Sequence, residues 1–153
     1  MGTNDRAPPH HALSGLELLK AFAAGALPRA SMAETMGMRG LEVEEGRVVM
    51  RARADDRHLN PLGGVHGGFA ATVLDSVTGS AVHTMLEAGV GYGTVDLAVK
   101  MLRPVPRHED LVAEARVTHL SRSLGVAEGT LRDAAGNLLA SASATCFIKR
   151  PRG

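Results

Sequence analysis

The stretch Asn60–Asp75, NPLGGVHGGFAATVLD, decides how the rest of the chain is arranged. Its first half is a loop, because neither a helix nor a strand tolerates proline and glycine at this density. From Gly67 the residues become small and apolar, which predicts a long helix that ends near Glu87. Between Gly67 and Leu86, Asp75 is the only Asp, Glu, Lys or Arg. A lone carboxylate on an apolar helix either reaches water or lies in a site that uses its charge.

The composition bounds the class of protein. The 153 residues suffice for one domain with a sizeable core. A net charge of +1, with one Tyr and three Phe, argues against nucleic acid as a partner. The single cysteine, Cys146, excludes an intramolecular disulfide and suits a reducing compartment. No segment has the pattern of a signal peptide or a membrane span, so a cytoplasmic protein with no membrane partner is expected.

Predicted elements flank the central helix on both sides. Residues 1–12 are predicted to be a disordered tail. Ser14 begins a helix as its cap, with Glu17 at the capping-box position, and Gly25 and Pro28 end it. Residues 32–40 remain open between a short strand and a helical turn. The remaining segments alternate as strands do, with turns at 45–46 and 133–137; these strands are Leu41–Ala54, Tyr92–Arg103, Leu111–Leu120, Leu124–Arg132 and Leu138–Lys149.

The order of these elements predicts the fold class. Short connections between successive strands favour antiparallel pairing. A helix that is apolar on nearly every side must be covered on most of its surface, and a curved sheet does this. We therefore predict an α+β fold over residues 13–150: a single domain in which a curved antiparallel β-sheet wraps a long central helix, with an additional N-terminal helix.

The spacing Asn60-x5-His66-Gly67-Gly68-x6-Asp75 resembles the signature of the hotdog-fold acyl-CoA thioesterases of the PaaI-like, phenylacetate-pathway branch. The segments SGLELLKAFAAGALP and YGTVDLAVKMLRP are similar to the family's leading helix and to its strand after the central helix. The resemblance covers residues 13–149. It implies a hotdog fold, hydrolysis of an acyl-CoA, a homodimer that often pairs into a dimer of dimers, and no cofactor, since coenzyme A is part of the substrate.

Thioester hydrolysis requires a group that stabilises the developing oxyanion and a nucleophile or base. Gly67 and Gly68 stand at a helix start, where amide N–H groups lack intrahelical partners and the helix dipole favours negative charge. They are candidates for the oxyanion hole, although Gly-Gly also suits a sharp turn. Asp75 is the candidate nucleophile or general base, the alternative being a surface carboxylate.

The resemblance extends to several further residues. Asn60 would orient water or hold the loop, and His66 would polarise the oxyanion donor or hydrogen-bond the turn. Thr94 stands where related members place a serine near the carboxylate, with one extra residue in the preceding loop. The phosphates of coenzyme A call for basic residues at the mouth of the site, and the acyl group for an apolar contact. The candidates for these substrate contacts are Lys100, Arg103, Arg122, Arg150 and Phe69.

The distance between Gly67 and Asp75 along the helix bears on how many chains form one site. Gly67 and Asp75 are eight residues apart, which along one helix is about 12 Å. A carboxylate at that distance does not reach a carbonyl held at the helix start. Two antiparallel helices related by a twofold axis would bring the two groups together. An obligate dimer with shared sites is therefore predicted.

Other functions find less support in the sequence. Its histidines form no metal-binding motif, so no metal site is predicted. It also has no serine-hydrolase elbow and no glycine-rich nucleotide-binding loop. Two alternatives stay open: an acyl-thioester hydratase or dehydratase of the same fold, and a non-catalytic module that binds acyl-CoA. Aryl and medium-chain acyl groups are both compatible with the composition.

Overall fold

A six-stranded sheet and one long helix dominate the computed structural model, which describes residues 9–153. The helices are α1 (Gly15–Ala23), α2 (Ser31–Thr35) and α3 (Gly67–His83). The strands are β1 (Arg39–Glu44), β2 (Arg47–Arg53), β3 (Gly91–Met101), β4 (Asp110–Leu120), β5 (Leu124–Asp133) and β6 (Leu138–Lys149). Single 3-10 turns occur at His10–Ala12 and Asp56–His58.

All neighbouring strands of the sheet are antiparallel, in the order β1-β2-β4-β5-β6-β3. The two strands that flank α3 in the chain, β2 and β3, therefore lie far apart in the sheet. Strand β3 is an edge strand, and the helix α1 packs beside the opposite edge, β1. The predicted α+β architecture, with a curved antiparallel sheet around a central helix, is confirmed.

Helix α3 fills the inner face of the sheet. Its buried residues include Val73, Leu74, Val77 and Val82. The helix approaches β5 closely, because a Cβ added at Gly125 would lie 2.6 Å from a methyl carbon of Val82. Small residues of the sheet thus allow the helix backbone to come near it, and the apolar surface of α3 is removed from water.

Helix α1 begins as predicted. The Ser14 hydroxyl accepts a hydrogen bond from the Glu17 N–H, and the Glu17 carboxylate accepts one from the Ser14 N–H (3.2 and 2.8 Å). The helix is joined to the end of α3 through Gly15, whose N–H donates to the Leu86 carbonyl (3.0 Å). A Cβ at Gly15 would lie 1.7 Å from the His83 carbonyl oxygen, so only glycine fits this contact.

The end of α3 differs from the prediction, and the structure assigns the segment that the prediction left open. Helix α3 ends at His83 rather than Glu87. There the Thr84 hydroxyl accepts a hydrogen bond from the Gly46 N–H in the β1–β2 turn (2.8 Å), which ties the end of the helix to the sheet. Residues 32–40, left open by the sequence, contain most of α2 and the start of β1.

The predicted disordered tail, residues 1–12, lies mostly outside the described residues. Its last three residues, His10–Ala12, form one of the 3-10 turns. None of the helices within residues 9–153 combines the length and the hydropathy that crossing a bilayer requires.

Candidate active site

The loop before α3 is organised by Asn60. The Asn60 side-chain oxygen accepts hydrogen bonds from the N–H groups of Leu62 (2.9 Å) and Gly64 (3.2 Å). The Asn60 N–H donates in turn to the Gly64 carbonyl (2.7 Å). These bonds form an Asx-type turn that closes the loop on itself. These hydrogen bonds agree with the loop-holding role considered for Asn60, and the water-orienting role stays a prediction.

Two histidines connect this loop to the rest of the domain. His58 is buried; its Nδ1 accepts from the Asp55 N–H (2.9 Å), so its Nε2–H donates to the Thr35 carbonyl (2.8 Å). The His58 carbonyl accepts from the His66 N–H (2.7 Å). Both ring nitrogens of His58 are thus occupied by hydrogen bonds to the backbone, and His58 fixes the backbone at which α3 begins.

The two glycines at the start of α3 have different surroundings. His66 is the N-cap, and its Nδ1 accepts from the Gly68 N–H (2.8 Å). The Gly67 N–H has no acceptor among residues 9–153. Gly67 also borders a cleft of about 280 Å³, into which Met101 and Arg103 project from the end of β3. The amide that is free to bind a new acceptor at this helix start is therefore that of Gly67.

Asp75 lies in the middle of α3 on the side that the sheet leaves partly open. The residue is half-buried, yet its Oδ1 atom is fully buried and has no hydrogen-bond partner within the described chain. A buried carboxylate oxygen without a donor is costly, and native structures rarely keep one without a reason. The arrangement indicates a carboxylate whose donor comes from outside this chain.

Tyr92 of β3 and Cys146 of β6 lie near enough to Asp75 for its charge to act on them. Burial, together with the charges of Cys146 and Asp75, raises the pKa of the Tyr92 hydroxyl to about 12. Burial and the Asp75 charge also raise the pKa of the Cys146 thiol. The Thr94 hydroxyl lies 3.9 Å from the Cys146 sulfur. Thr94 is therefore linked to Cys146, and the raised pKa values keep the phenol and the thiol neutral at ordinary pH.

The predicted substrate contacts do not all lie together. Arg103 borders the cleft beside Gly67. Lys100 lies on the outer face of the sheet, in a groove on the side away from α3. Arg122 and Arg150 meet at the far end of the sheet, where the Arg150 Nε–H donates to the Arg122 carbonyl (3.2 Å). Phe69 is buried in the core against the His58 ring, so its placement gives no support to a substrate contact.

Comparison with known proteins decides the family. The model of the thioesterase superfamily matches residues 62–140, just over half of the chain. The chain belongs to the thioesterase superfamily. The match begins in the loop that Asn60 closes and ends in β6, so it includes both Gly67 and Asp75.

Individual relatives of this thioesterase agree with that assignment. A crystal structure of a candidate thioesterase from Ralstonia eutropha, named a phenylacetic acid degradation-related protein, is 33% identical over 84% of this chain and 97% of its own, with a TM-score of 0.74. Human acyl-coenzyme A thioesterase 13 is 29% identical over 62% of this chain and 68% of its own. A candidate esterase from Halobacterium salinarum is 44% identical over 68 residues, and the match spans only 44% of that protein.

These findings confirm the predicted resemblance to hotdog thioesterases and the predicted enzyme class, a thioester hydrolase.

Two neighbours of Asp75 in this thioesterase were missed by the sequence analysis, Tyr92 and Cys146. The signal for Tyr92 was present: it is the only tyrosine of the chain and stands two residues before Thr94, on the same face of a strand. Cys146 had no such signal, because only the pairing of β3 with β6 brings it to Thr94.

Proposed function

We propose that this thioesterase hydrolyses the thioester of acyl-CoA substrates with a medium-chain or aryl acyl group, releasing the free acid and coenzyme A. The name of the human relative supports coenzyme A as the thiol. Arg103, at the cleft beside Gly67, offers a positive charge for its phosphates.

The observation that carries the proposal is the buried, unpartnered Oδ1 of Asp75. In the proposed reaction the Asp75 carboxylate attacks the thioester carbonyl carbon, or takes a proton from a water that attacks it. Either route places negative charge on the carbonyl oxygen, which the Gly67 N–H binds. Collapse of the tetrahedral intermediate breaks the C–S bond, and coenzyme A leaves as the thiolate. If Asp75 acts as the base, the proton that it took from water goes to the thiolate and the acyl group is already the free acid. If Asp75 is the nucleophile, the acyl group remains on it as a mixed anhydride, which water hydrolyses to the free acid and the Asp75 carboxylate, and the proton released goes to the thiolate.

The two halves of the site come from two copies of the chain in this proposal. Gly67 and Asp75 lie on one uninterrupted helix, eight residues apart, so about 12 Å separates them within a chain. Strand β3 lies at an edge of the sheet, so the backbone groups on its outer side have no neighbouring strand among residues 9–153. Val95 of this strand is 65% exposed to solvent. Pairing of β3 with its copy about a twofold axis would continue the sheet and set two α3 helices side by side. Gly67 of one copy would then complete the site at Asp75 of the other.

The proposed chemistry is tested by replacing Asp75→Asn, which keeps the shape of the side chain and removes its charge. Release of coenzyme A from decanoyl-CoA and phenylacetyl-CoA should fall about 10²–10⁴-fold, the usual contribution of such a group. Glu42→Gln, an exposed carboxylate of β1, is the matched control and should keep the wild-type rate. Turnover by Asp75→Asn at more than a tenth of the wild-type rate would overturn the mechanism. A wild-type protein that binds acyl-CoA without releasing coenzyme A would instead show a non-catalytic module.

A further inference from the structure

Tyr92, the only tyrosine of the chain, lies on the face of α3 that carries Asp75. A Cβ added at Gly79 would lie 2.9 Å from the Cε2 atom of the Tyr92 ring and 3.2 Å from its hydroxyl oxygen. The His83 ring packs against the same phenol, with 5.1 Å between the ring centroids. Asp75, Gly79 and His83 follow one another at intervals of four residues, and such residues are neighbours on one face of a helix. The phenol therefore shares a stripe of α3 with the candidate catalytic carboxylate.

The hydroxyl of Tyr92 lies about one helical turn from Asp75. The hydroxyl end of the ring is at Gly79, and the Cβ positions of residues four apart on a helix are about 5–6 Å from each other. The charge of Asp75 contributes to the raised pKa of the phenol, which agrees with this separation. One water molecule spans such a gap, because each of its two hydrogen bonds is about 2.8 Å long.

Both sides of this gap carry a hydrogen-bonding group that is not in use. The Oδ1 atom of Asp75 has no partner within the described chain. The Tyr92 hydroxyl likewise makes no hydrogen bond to another residue of 9–153. Water has access to the phenol, because Tyr92 lines a groove of about 600 Å³ that α1 and α3 also border. A phenol O–H can donate to a water that in turn donates to a carboxylate.

We propose that the Tyr92 hydroxyl positions the water that attacks the thioester. The phenol O–H donates to the water oxygen, and Asp75 accepts a hydrogen bond from the same water. The water oxygen attacks the carbonyl carbon, one of its protons passes to Asp75, and the carbonyl electrons move onto the oxygen that the Gly67 N–H of the other copy binds. The C–S bond then breaks, and the proton passes from Asp75 to the thiolate, while the phenol keeps its own proton. The inference rests on the proposed function and assigns Asp75 the role of general base.

A donor beside a general base must keep its own proton, and the surroundings of Tyr92 have this effect. Burial, with the charges of Cys146 and Asp75, raises the pKa of Tyr92 to about 12. Burial also lowers the pKa of His83 and raises that of the Cys146 thiol, so both groups that flank the phenol are neutral at ordinary pH. Tyr92 thus remains a neutral hydrogen-bond donor over the whole range in which the enzyme would be assayed.

Two cations border the same groove, and both have partners elsewhere. The Arg29 guanidinium donates to the Met38 carbonyl (3.4 Å), and Arg39 pairs with Asp110 (2.9 Å). Their titration lies far above the assay range, so a change of rate on the alkaline side that depends on the phenol reports on Tyr92.

Tyr92→Phe removes the hydroxyl and keeps the ring that packs on Gly79 and His83. We expect kcat for decanoyl-CoA to fall about 10-fold, the upper range for one neutral hydrogen bond. KM should stay unchanged, because the water and not the substrate loses a partner. Ser141→Ala, which removes a hydroxyl from the outer face of the sheet, should leave both constants at their wild-type values. A kcat of Tyr92→Phe within threefold of the wild-type value would overturn the inference.

A fluorinated tyrosine separates the donor role from a packing role. Because Tyr92 is the only tyrosine, growth on 3,5-difluorotyrosine alters this one phenol and makes it more acidic with little change in size. In the fluorinated protein kcat should fall on the alkaline side, where the phenol loses its proton and its hydrogen bond, and the unsubstituted protein should lack this fall. Tyr92→Phe grown in the same medium contains no tyrosine and is the control. Superimposable pH profiles of the fluorinated and unsubstituted proteins would overturn the inference.

The same measurements separate this inference from the proposed function. A wild-type protein inactive on every acyl-CoA would contradict the function itself. An active wild type whose kcat survives Tyr92→Phe would contradict only the positioning of water by Tyr92. A rise in KM without a fall in kcat would show that the phenol contacts the substrate instead, and the inference fails.

Discussion

The two glycines at the start of α3 differ in what their amides do. The Gly68 N–H is bound by the His66 ring, while the Gly67 N–H has no acceptor in the described chain. A Cβ at Gly67 would come within 2.6 Å of the Met101 sulfur, the flexible end of a long side chain. Gly67 is therefore the residue at which the oxyanion proposal can be tested without a backbone clash.

Gly67→Ala and Gly67→Pro form a matched pair. Both add a Cβ beside Met101, but only proline removes the N–H. Proline is well tolerated at the first position of a helix, and the extended conformation of His66 (φ −63°, ψ 136°) suits a residue before proline. We expect kcat for decanoyl-CoA to fall about 10²–10³-fold in Gly67→Pro and only a few-fold in Gly67→Ala. Equal kcat values for the two variants would show that this amide binds no oxyanion.

At the scale of residues, the sequence named the candidate site residues but not the contacts that their side chains make. Asn60, His66, Gly67, Gly68 and Asp75 were recognised by their spacing, because that spacing lies within one loop and one helix. The sequence left the role of Asn60 open, and the structure adds that its side-chain oxygen accepts hydrogen bonds from Leu62 and Gly64 within the loop. Hydrogen-bond partners of this kind depend on the exact path of the backbone, which spacing alone does not specify.

At the scale of elements, a close contact at Gly15 docks α1 on the C-terminal end of α3. The contact depends on Gly15, whose Cα lies against the His83 carbonyl and whose N–H donates to the Leu86 carbonyl. Because this contact joins α1 to the central helix, a change at Gly15 would lower the stability of the fold.

Gly15→Ala should lower the free energy of unfolding by about 1–3 kcal/mol, the usual cost of forcing a methyl group into a packed contact. Gly91→Ala is the control, since the nearest atom to its added Cβ would be the Lys149 Cβ at 4.0 Å. Urea denaturation followed by circular dichroism measures both. A Gly15→Ala variant as stable as wild type would mean that α1 moves away from α3 without cost.

Element boundaries were predictable where the signal was local. The strand Leu138–Lys149 follows from the alternation of its residues. The turn at Gly136 follows from the residue type, because glycine readily adopts the positive φ of 87° found there. The end of α3 was placed four residues too late, at Glu87 instead of His83. The hydrogen bond from the Gly46 N–H to the Thr84 hydroxyl spans 38 residues of chain, so no local pattern reveals it.

At the scale of the whole molecule, the proposed site requires two chains. Among residues 9–153, β3 is an edge strand of the sheet, and helix α3 carries both halves of the proposed site about 12 Å apart. A twofold axis beside β3 would pair the Asp75 of each copy with the Gly67 of the other, giving two equivalent sites.

Mixed dimers of two inactive variants test this arrangement. Asp75→Asn and Gly67→Pro, co-expressed with different tags and purified through both, would carry one site with both changes and one site with neither. We expect such heterodimers to recover about half of the wild-type activity per dimer. Each homodimer should remain inactive and serves as its own control. No recovery in the doubly tagged sample would mean that both halves of the site come from the same chain.

The order of the strands and of the two longer helices, the turn at 133–137, the Ser14 cap of α1 and the spacing of His66, Gly67 and Asp75 were determined by the sequence alone. These features depend on residues within a few positions of one another, where backbone preferences and periodicity act directly. Tertiary structure decided that one Asp75 oxygen is buried without a partner among residues 9–153, and that Tyr92 and Cys146 lie within reach of its charge. Thr94 and Cys146 are 52 residues apart in the chain. Such residues meet only when the strands pair and the helix packs, because burial and electrostatic surroundings belong to the folded assembly of elements and not to any one segment.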